Sequence, residues 1–123
     1  MNMKATIPLI NQYINTLFRG VPIDAYQGYR TYTECVVNGA KCYDFARHKA
    51  QWMINEGINA ADMEYIVCKP TGPFHEPHAV LGFYDNGIDD DPLILDNLTP
   101  EILPLSERGD LDVDARIPCG NIA

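Results

Sequence analysis

A thiol, an imidazole and a carboxylate follow one another along the chain at Cys42, His78 and Asp96. These are the parts of a cysteine-nucleophile triad. The thiolate attacks a carbonyl, the imidazole carries the proton, and the carboxylate orients the imidazole. Each residue has a telling neighbourhood. Cys42 lies in Gly39-Ala40-Lys41-Cys42-Tyr43-Asp44-Phe45-Ala46, where a loop runs into a helical pattern. His78 opens the apolar run His78-Ala79-Val80-Leu81-Gly82-Phe83-Tyr84, and Asp96 closes Leu93-Ile94-Leu95-Asp96-Asn97.

Three elements must position that trio. Residues 42, 45, 46, 49, 52 and 53 keep the three-and-four rhythm of a buried helical stripe. A helix is therefore expected over Lys41 to Glu56, with Cys42 in its first turn and Gly57 just past its end. His78 to Tyr84 and Leu93 to Asp96 read as two strands of an antiparallel hairpin. Such pairing puts His78, at the start of one strand, beside Asp96, at the end of the other. A helix packed on that sheet with its N-terminus at the same edge would bring Cys42 to His78. The partial positive charge and backbone N–H groups of a helix start favour a thiolate and a developing oxyanion.

Other elements support this core. Apolar Leu9, Ile10, Tyr13, Ile14, Leu17 and Phe18 predict a first helix over Ile7 to Phe18, with Thr6 as cap and Pro8 in the first turn. Tyr26, Tyr29 and Tyr32 fall in a loop, and at least one is expected to wall a cleft. A short helical turn is expected over Thr31 to Val37, with Thr33 as its cap. Alternation from Met63 to Cys68 predicts another strand. Ile102 to Leu105 and Ala115 to Pro118 are short strands or extended segments.

With 123 residues the chain is expected to form one domain. Its net charge of −8, from 17 acidic against 9 basic residues, argues against nucleic acid and anionic membrane as partners. No run is apolar and long enough to cross a bilayer. The segment from Met1 to Pro8 does not read as a secretory signal, so a cytosolic or phage-encoded protein is expected. The four cysteines, Cys35, Cys42, Cys68 and Cys119, are then expected to be unpaired thiols.

Taken in full, the runs around Cys42, Asn55-Glu56-Gly57-Ile58, His78-Ala79-Val80-Leu81 and Leu95-Asp96-Asn97-Leu98 resemble the bacterial transglutaminase-like cysteine peptidases. That group includes the LapG-type proteases of the papain-like superfamily. Asn11-Gln12-Tyr13-Ile14-Asn15 and Tyr32-Thr33-Glu34 resemble the family's lead-in, so the likeness covers roughly residues 9 to 98. It implies an α+β papain-like or transglutaminase-like core, with a central helix carrying the cysteine packed on an antiparallel sheet. It also implies Cys42 as nucleophile, His78 as general base and acid, and Asp96 as the orienting carboxylate. The substrate would be a protein or peptide amide, with proteolysis foremost and no cofactor. Deamidation and transamidation share the same acyl-enzyme step, and an inactive binding module on the same fold is the alternative from another class. Oligomeric state is not set by the sequence.

The sequence departs from the family beside the thiol. Lys41 and Tyr43 stand where the family has acidic residues, which in LapG-type members help to bind calcium; only Asp44 matches. A lysine there opposes a cation, so calcium is not carried over. Two further metal readings are weak. His75-Glu76-Pro77-His78 contains a proline that prevents one helical face from presenting both histidines. Asp110-Leu111-Asp112-Val113-Asp114 begins like a calcium loop but has Ala115 in place of the required glycine.

Overall fold

The computed structural model describes residues 3–70, 77–85 and 91–121. Among these, three α-helices and five strands occur in the order α1 (Met3–Leu17), α2 (Tyr32–Asn38), α3 (Cys42–Asn55), β1 (Met63–Pro70), β2 (His78–Phe83), β3 (Leu93–Leu95), β4 (Leu103–Pro104) and β5 (Leu111–Pro118). The strands form one antiparallel sheet in the order β4-β3-β2-β1-β5. The expected α+β class, with a helix carrying the cysteine on an antiparallel sheet, is what the chain adopts. The residues joining β1 to β2 and β2 to β3 lie largely outside the described ones, including His75 and Glu76 of the weak metal motif.

Helix α3 is the centre of the molecule. It packs between β2 on one side and α1 on the other, burying Phe45, Ala46, Lys49, Ala50 and Met53. Its N-cap is Lys41, whose backbone N–H donates to the Asp44 carboxylate at 3.3 Å. The helix ends where Gly57 takes φ 100°, a left-handed conformation that glycine adopts without steric penalty. On the sheet face toward α3 lie Met63, Leu81, Phe83 and Leu95; Ile66, Cys68, Val80, Ile94 and Leu111 form a second cluster.

Two helices differ from expectation. Helix α1 begins at Met3, a turn earlier than predicted, so Thr6 is not its cap and Pro8 lies within it. Proline removes one N–H there without stopping a segment that holds no other breaker. Its buried face is Ile7, Ile10 and Ile14, continued by Phe18 just past its end, while Leu9 and Tyr13 face outward. Tyr13 meets Trp52 of α3 edge-on, with ring centroids 5.1 Å apart. In α2 the cap is Thr31, not Thr33. Its hydroxyl accepts the Glu34 N–H, and Glu34 returns the bond by accepting the Thr31 N–H.

The approach to α3 is fixed by backbone. Gly20 and Ala40 form a parallel bridge, with Ala40 N–H donating to Arg19 C=O at 2.8 Å and Val21 N–H to Ala40 C=O at 3.0 Å. Gly39 makes this possible. Its φ is 93°, and a Cβ there would stand 2.7 Å from Val21 Cγ1 and 2.9 Å from the Arg19 carbonyl oxygen.

Candidate active site

Cys42 is the first residue of α3, His78 the first of β2, and Asp96 the residue after β3. The hairpin register pairs Leu81 with Leu95, which carries His78 and Asp96 to one end of the sheet. The His78 Nε2–H donates to Asp96 Oδ1 at 2.7 Å. The Cys42 thiol is close enough to the same imidazole to favour its protonated form. With Nε2 committed to Asp96, Nδ1 is the ring nitrogen left for the thiol. All three residues of the sequence reading thus meet in space.

Asp96 is fully buried and heavily held. Besides His78, Arg108 Nη2–H donates to Oδ2 at 2.9 Å and Leu98 N–H to Oδ1 at 3.1 Å. Its own backbone carbonyl accepts from Asn15 Nδ2 of α1 at 2.8 Å. Burial pushes its carboxyl toward the neutral form, but the bonds and charges of His78 and Arg108 outweigh it and hold the pKa down at about 2. For His78, burial opposes the imidazolium. Hydrogen bonds and negative charge from Asp96 and Cys42 overcome that and raise the pKa to about 9.

Arg108 was not singled out in the sequence. It lies between β4 and β5, is almost fully buried, and also donates from Nε to Asp110 Oδ1 at 2.9 Å and from Nη2 to Asp110 Oδ2 at 3.0 Å. Its only sequence signal is Arg108-Gly109-Asp110, an arginine two residues from a carboxylate in a turn. Lys49 is a second buried cation. Its Nζ has no hydrogen-bond partner among the described residues, and burial drives its pKa down to about 7 against the pull of Asp96.

The remaining thiols are unlike Cys42. All four cysteines are unpaired, but Cys35, Cys68 and Cys119 are buried, whereas Cys42 is partly exposed. Burial pushes Cys35 and Cys119 up to about 11 and Cys68 to about 12. They are therefore poor nucleophiles at neutral pH.

A cavity of about 350 Å³ runs along α3 from Tyr43, next to Cys42, to Ile54. Its walls include Tyr29, Tyr65, Val67 and Ile117, together with Ala79, the neighbour of His78. Among the described residues Arg47 is its one charged lining residue, and it lies over the Tyr29 ring, 4.5 Å from the centroid. Of the three loop tyrosines, Tyr29 is the cleft wall. Tyr26 packs under Arg30 and Lys41, and Tyr32 packs edge-on to Phe18.

The helix that starts at Cys42 is packed against an antiparallel sheet that carries His78 and places Asp96 at the same end. Solved structures of Legionella pneumophila LapG share this architecture. The chain matches LapG with TM-score 0.78, its EGTA-treated form with 0.78 and its calcium-bound form with 0.80, each at 26% identity. The matches cover 93–94% of this chain but only 63–65% of the LapG chains, so it spans less than two thirds of their length. The expected resemblance to LapG, a transglutaminase-like protein, is borne out by these matches. No family model and no curated protein matches the sequence.

One of these LapG structures is calcium-bound, so the fit of such an ion to the residues beside Cys42 matters. They do not fit it. Calcium takes six to eight oxygen ligands. Here Lys41 Nζ donates to the carbonyls of Tyr26 at 2.9 Å and Gly28 at 3.0 Å. The Asp44 carboxylate accepts the N–H of Arg30 at 3.1 Å and of Lys41 at 3.3 Å. Among the described residues no group of three or more His, Cys, Asp or Glu is placed to hold a metal. The acidic run first compared with a calcium loop is different again: Asp112 and Asp114 lie in β5, and Asp110 pairs with Arg108.

Proposed function

We propose that this chain is a cysteine hydrolase of protein or peptide amides, a protease in its simplest form, with Cys42, His78 and Asp96 as the triad. The observation that carries the reading is the imidazole of His78, bonded through Nε2 to Asp96 and facing the one partly exposed thiol. The likeness to LapG supports the same chemistry.

In this mechanism the Cys42 thiolate adds to the carbonyl carbon of the scissile amide. The negative charge moves to the carbonyl oxygen. The backbone N–H of Cys42 has no intrahelical acceptor by its position at the start of α3, and it donates to that oxyanion. The His78 imidazolium then gives its proton to the departing amine as the C–N bond breaks, leaving a thioester. Neutral His78 next takes a proton from water, the hydroxide adds to the thioester, and collapse releases the acid and the thiolate. Asp96 stays ionised throughout, holding the ring by its Nε2–H. The cavity along α3 receives a substrate side chain against Tyr29, Tyr43 and Tyr65.

Iodoacetamide labelling across pH, read by peptide mass spectrometry, tests the nucleophile. Cys42 should label ahead of Cys35, Cys68 and Cys119 in the folded protein, with a pH profile that changes in His78→Ala. A profile equal to that of the urea-unfolded chain removes the mechanism. Digestion of a peptide library then separates turnover from binding. Cleavage lost in Cys42→Ala supports the hydrolase. An activated thiol without cleavage or amide release supports the binding module instead.

A further inference from the structure

The nine-residue stretch from Pro22 to Arg30 has no regular secondary structure, yet its backbone is closely held at one point. The Tyr26 and Gly28 carbonyls both turn toward Lys41 Nζ, at 2.9 and 3.0 Å. The Tyr26 ring lies under the same ammonium, 4.2 Å from its centroid, and the Tyr26 hydroxyl accepts the Lys41 N–H at 3.1 Å. Lys41 is only 6% exposed, rare for a lysine. Just behind it, the fully buried Asp44 carboxylate accepts Lys41 N–H and Arg30 N–H, so one carboxylate ties the Arg30 end of the stretch to the first turn of α3. Two carbonyl oxygens and an aromatic ring thus surround a positive charge that is covalently part of the chain.

We propose that the Lys41 ammonium is a tethered cation, fastening the Tyr26–Gly28 backbone to the start of α3 without a bound metal ion. Three features support it. The carbonyls are satisfied at ammonium distances, longer than the 2.3–2.6 Å of calcium coordination. Both Asp44 oxygens are already engaged by backbone N–H groups. An incoming divalent ion would meet a buried positive charge that cannot leave, and such charge repels unless paired. The loop also carries Tyr29, a wall of the cavity beside Cys42, so the anchor sets the shape of that cavity without any dissolved ion. The architecture is permanently assembled rather than gated by divalent cation. This inference concerns loop order and stands whether or not Cys42 turns over substrate.

Hydrogen exchange of peptides covering residues 22–30, with thermal unfolding, tests it in EGTA and in millimolar calcium chloride. The wild-type protein should show the same exchange and the same midpoint in both. Lys41→Met, which keeps the length and loses the charge, should speed exchange of the 22–30 peptides at least tenfold while peptides from β1 and β2 stay protected. Lys41→Arg, which keeps a cation, should retain most of the protection. If Lys41→Met does not fold, the Arg variant and the wild-type calcium comparison still decide. A saturable calcium-dependent rise in the wild-type midpoint, reversed by EGTA, overturns the proposal. Wild-type exchange in Lys41→Met does so too, as does an Arg variant that loses all protection.

Discussion

Replacing Asp96 by asparagine removes one charge from the centre of the site and keeps its shape. In the native protein that carboxylate accepts bonds from His78 at 2.7 Å, Arg108 at 2.9 Å and the Leu98 N–H at 3.1 Å. Burial alone would disfavour the imidazolium of His78; the bonds and charges of Asp96 and Cys42 instead raise its pKa from 6.5 to about 9. That difference corresponds to about 3 kcal/mol of preference for the protonated ring. In Asp96→Asn, burial is opposed by Cys42 alone, and the His78 pKa should fall to 6.5 or below. The sign for stability follows from the raised value. The contribution is present in full below pH 6.5, where folded and unfolded rings are both protonated, and is lost as pH rises through 9. The stability gap between wild type and variant should therefore be widest near pH 6 and narrow by about 3 kcal/mol toward pH 10. Imidazole nitrogen shifts followed by NMR give the ring pKa directly, free of Lys49, which titrates in an overlapping window. Urea unfolding at pH 6, 8 and 10 gives the gap. A His78 still titrating near 9 in the variant would refute the assignment of Asp96 as the group that holds the imidazolium.

Arg108→Met leaves Asp96 with a buried charge and one cation fewer, and should cost about 3 kcal/mol in urea unfolding; Asp110→Ala, at a half-exposed carboxylate, should cost under about 1 kcal/mol. An equal loss from both would mean that Arg108 acts mainly through Asp110. Lys49 has its pKa lowered to about 7, so its buried amine destabilises the fold increasingly as pH falls from 10.5 to 7. Lys49→Met should therefore be roughly 2–5 kcal/mol more stable at pH 7, with the advantage fading by pH 10; a less stable variant at pH 7 would show that the amine is compensated. Gly39→Ala meets both a φ of 93° and a 2.7 Å approach to Val21 Cγ1. It should cost about 2 kcal/mol by thermal or urea unfolding, and an unchanged midpoint would show that the Gly20–Ala40 bridge is dispensable.

The trio itself was legible because each member sits at a punctuation mark that local sequence sets. Cys42 follows a glycine-containing loop and begins an unbroken helical stripe, and the hairpin needed only two apolar runs with a polar stretch between them. What the sequence hid were the supports. Arg108 reaches Asp96 from a turn beyond β4, a contact that no periodicity encodes. The strand β5 alternates apolar and polar residues from Leu111 to Ile117, a period-two signal masked by its resemblance to a calcium loop. Most of its residues are exposed because it lies at the sheet edge, so its charges sit in water and also discourage a further strand from adding. Helix α1 shows the opposite failure. Proline, a reliable stop in many contexts, is here only a missing hydrogen bond one turn inside the helix.

The grip of Arg108 on Asp96 also has a meaning in time. A ribosome delivers Cys42 and its helix first, then the His78 strand, then Asp96, and Arg108 after all of them. Until that last side chain arrives, the carboxylate that orients the imidazole lacks its permanent counter-charge, and the imidazole lacks a fixed orientation beside the thiol. The nascent chain therefore carries its nucleophile in an unfinished setting. Under the hydrolase reading proposed above, the thiol is armed only when the sheet that shelters it is complete, which keeps the site from acting on its own unfolded chain.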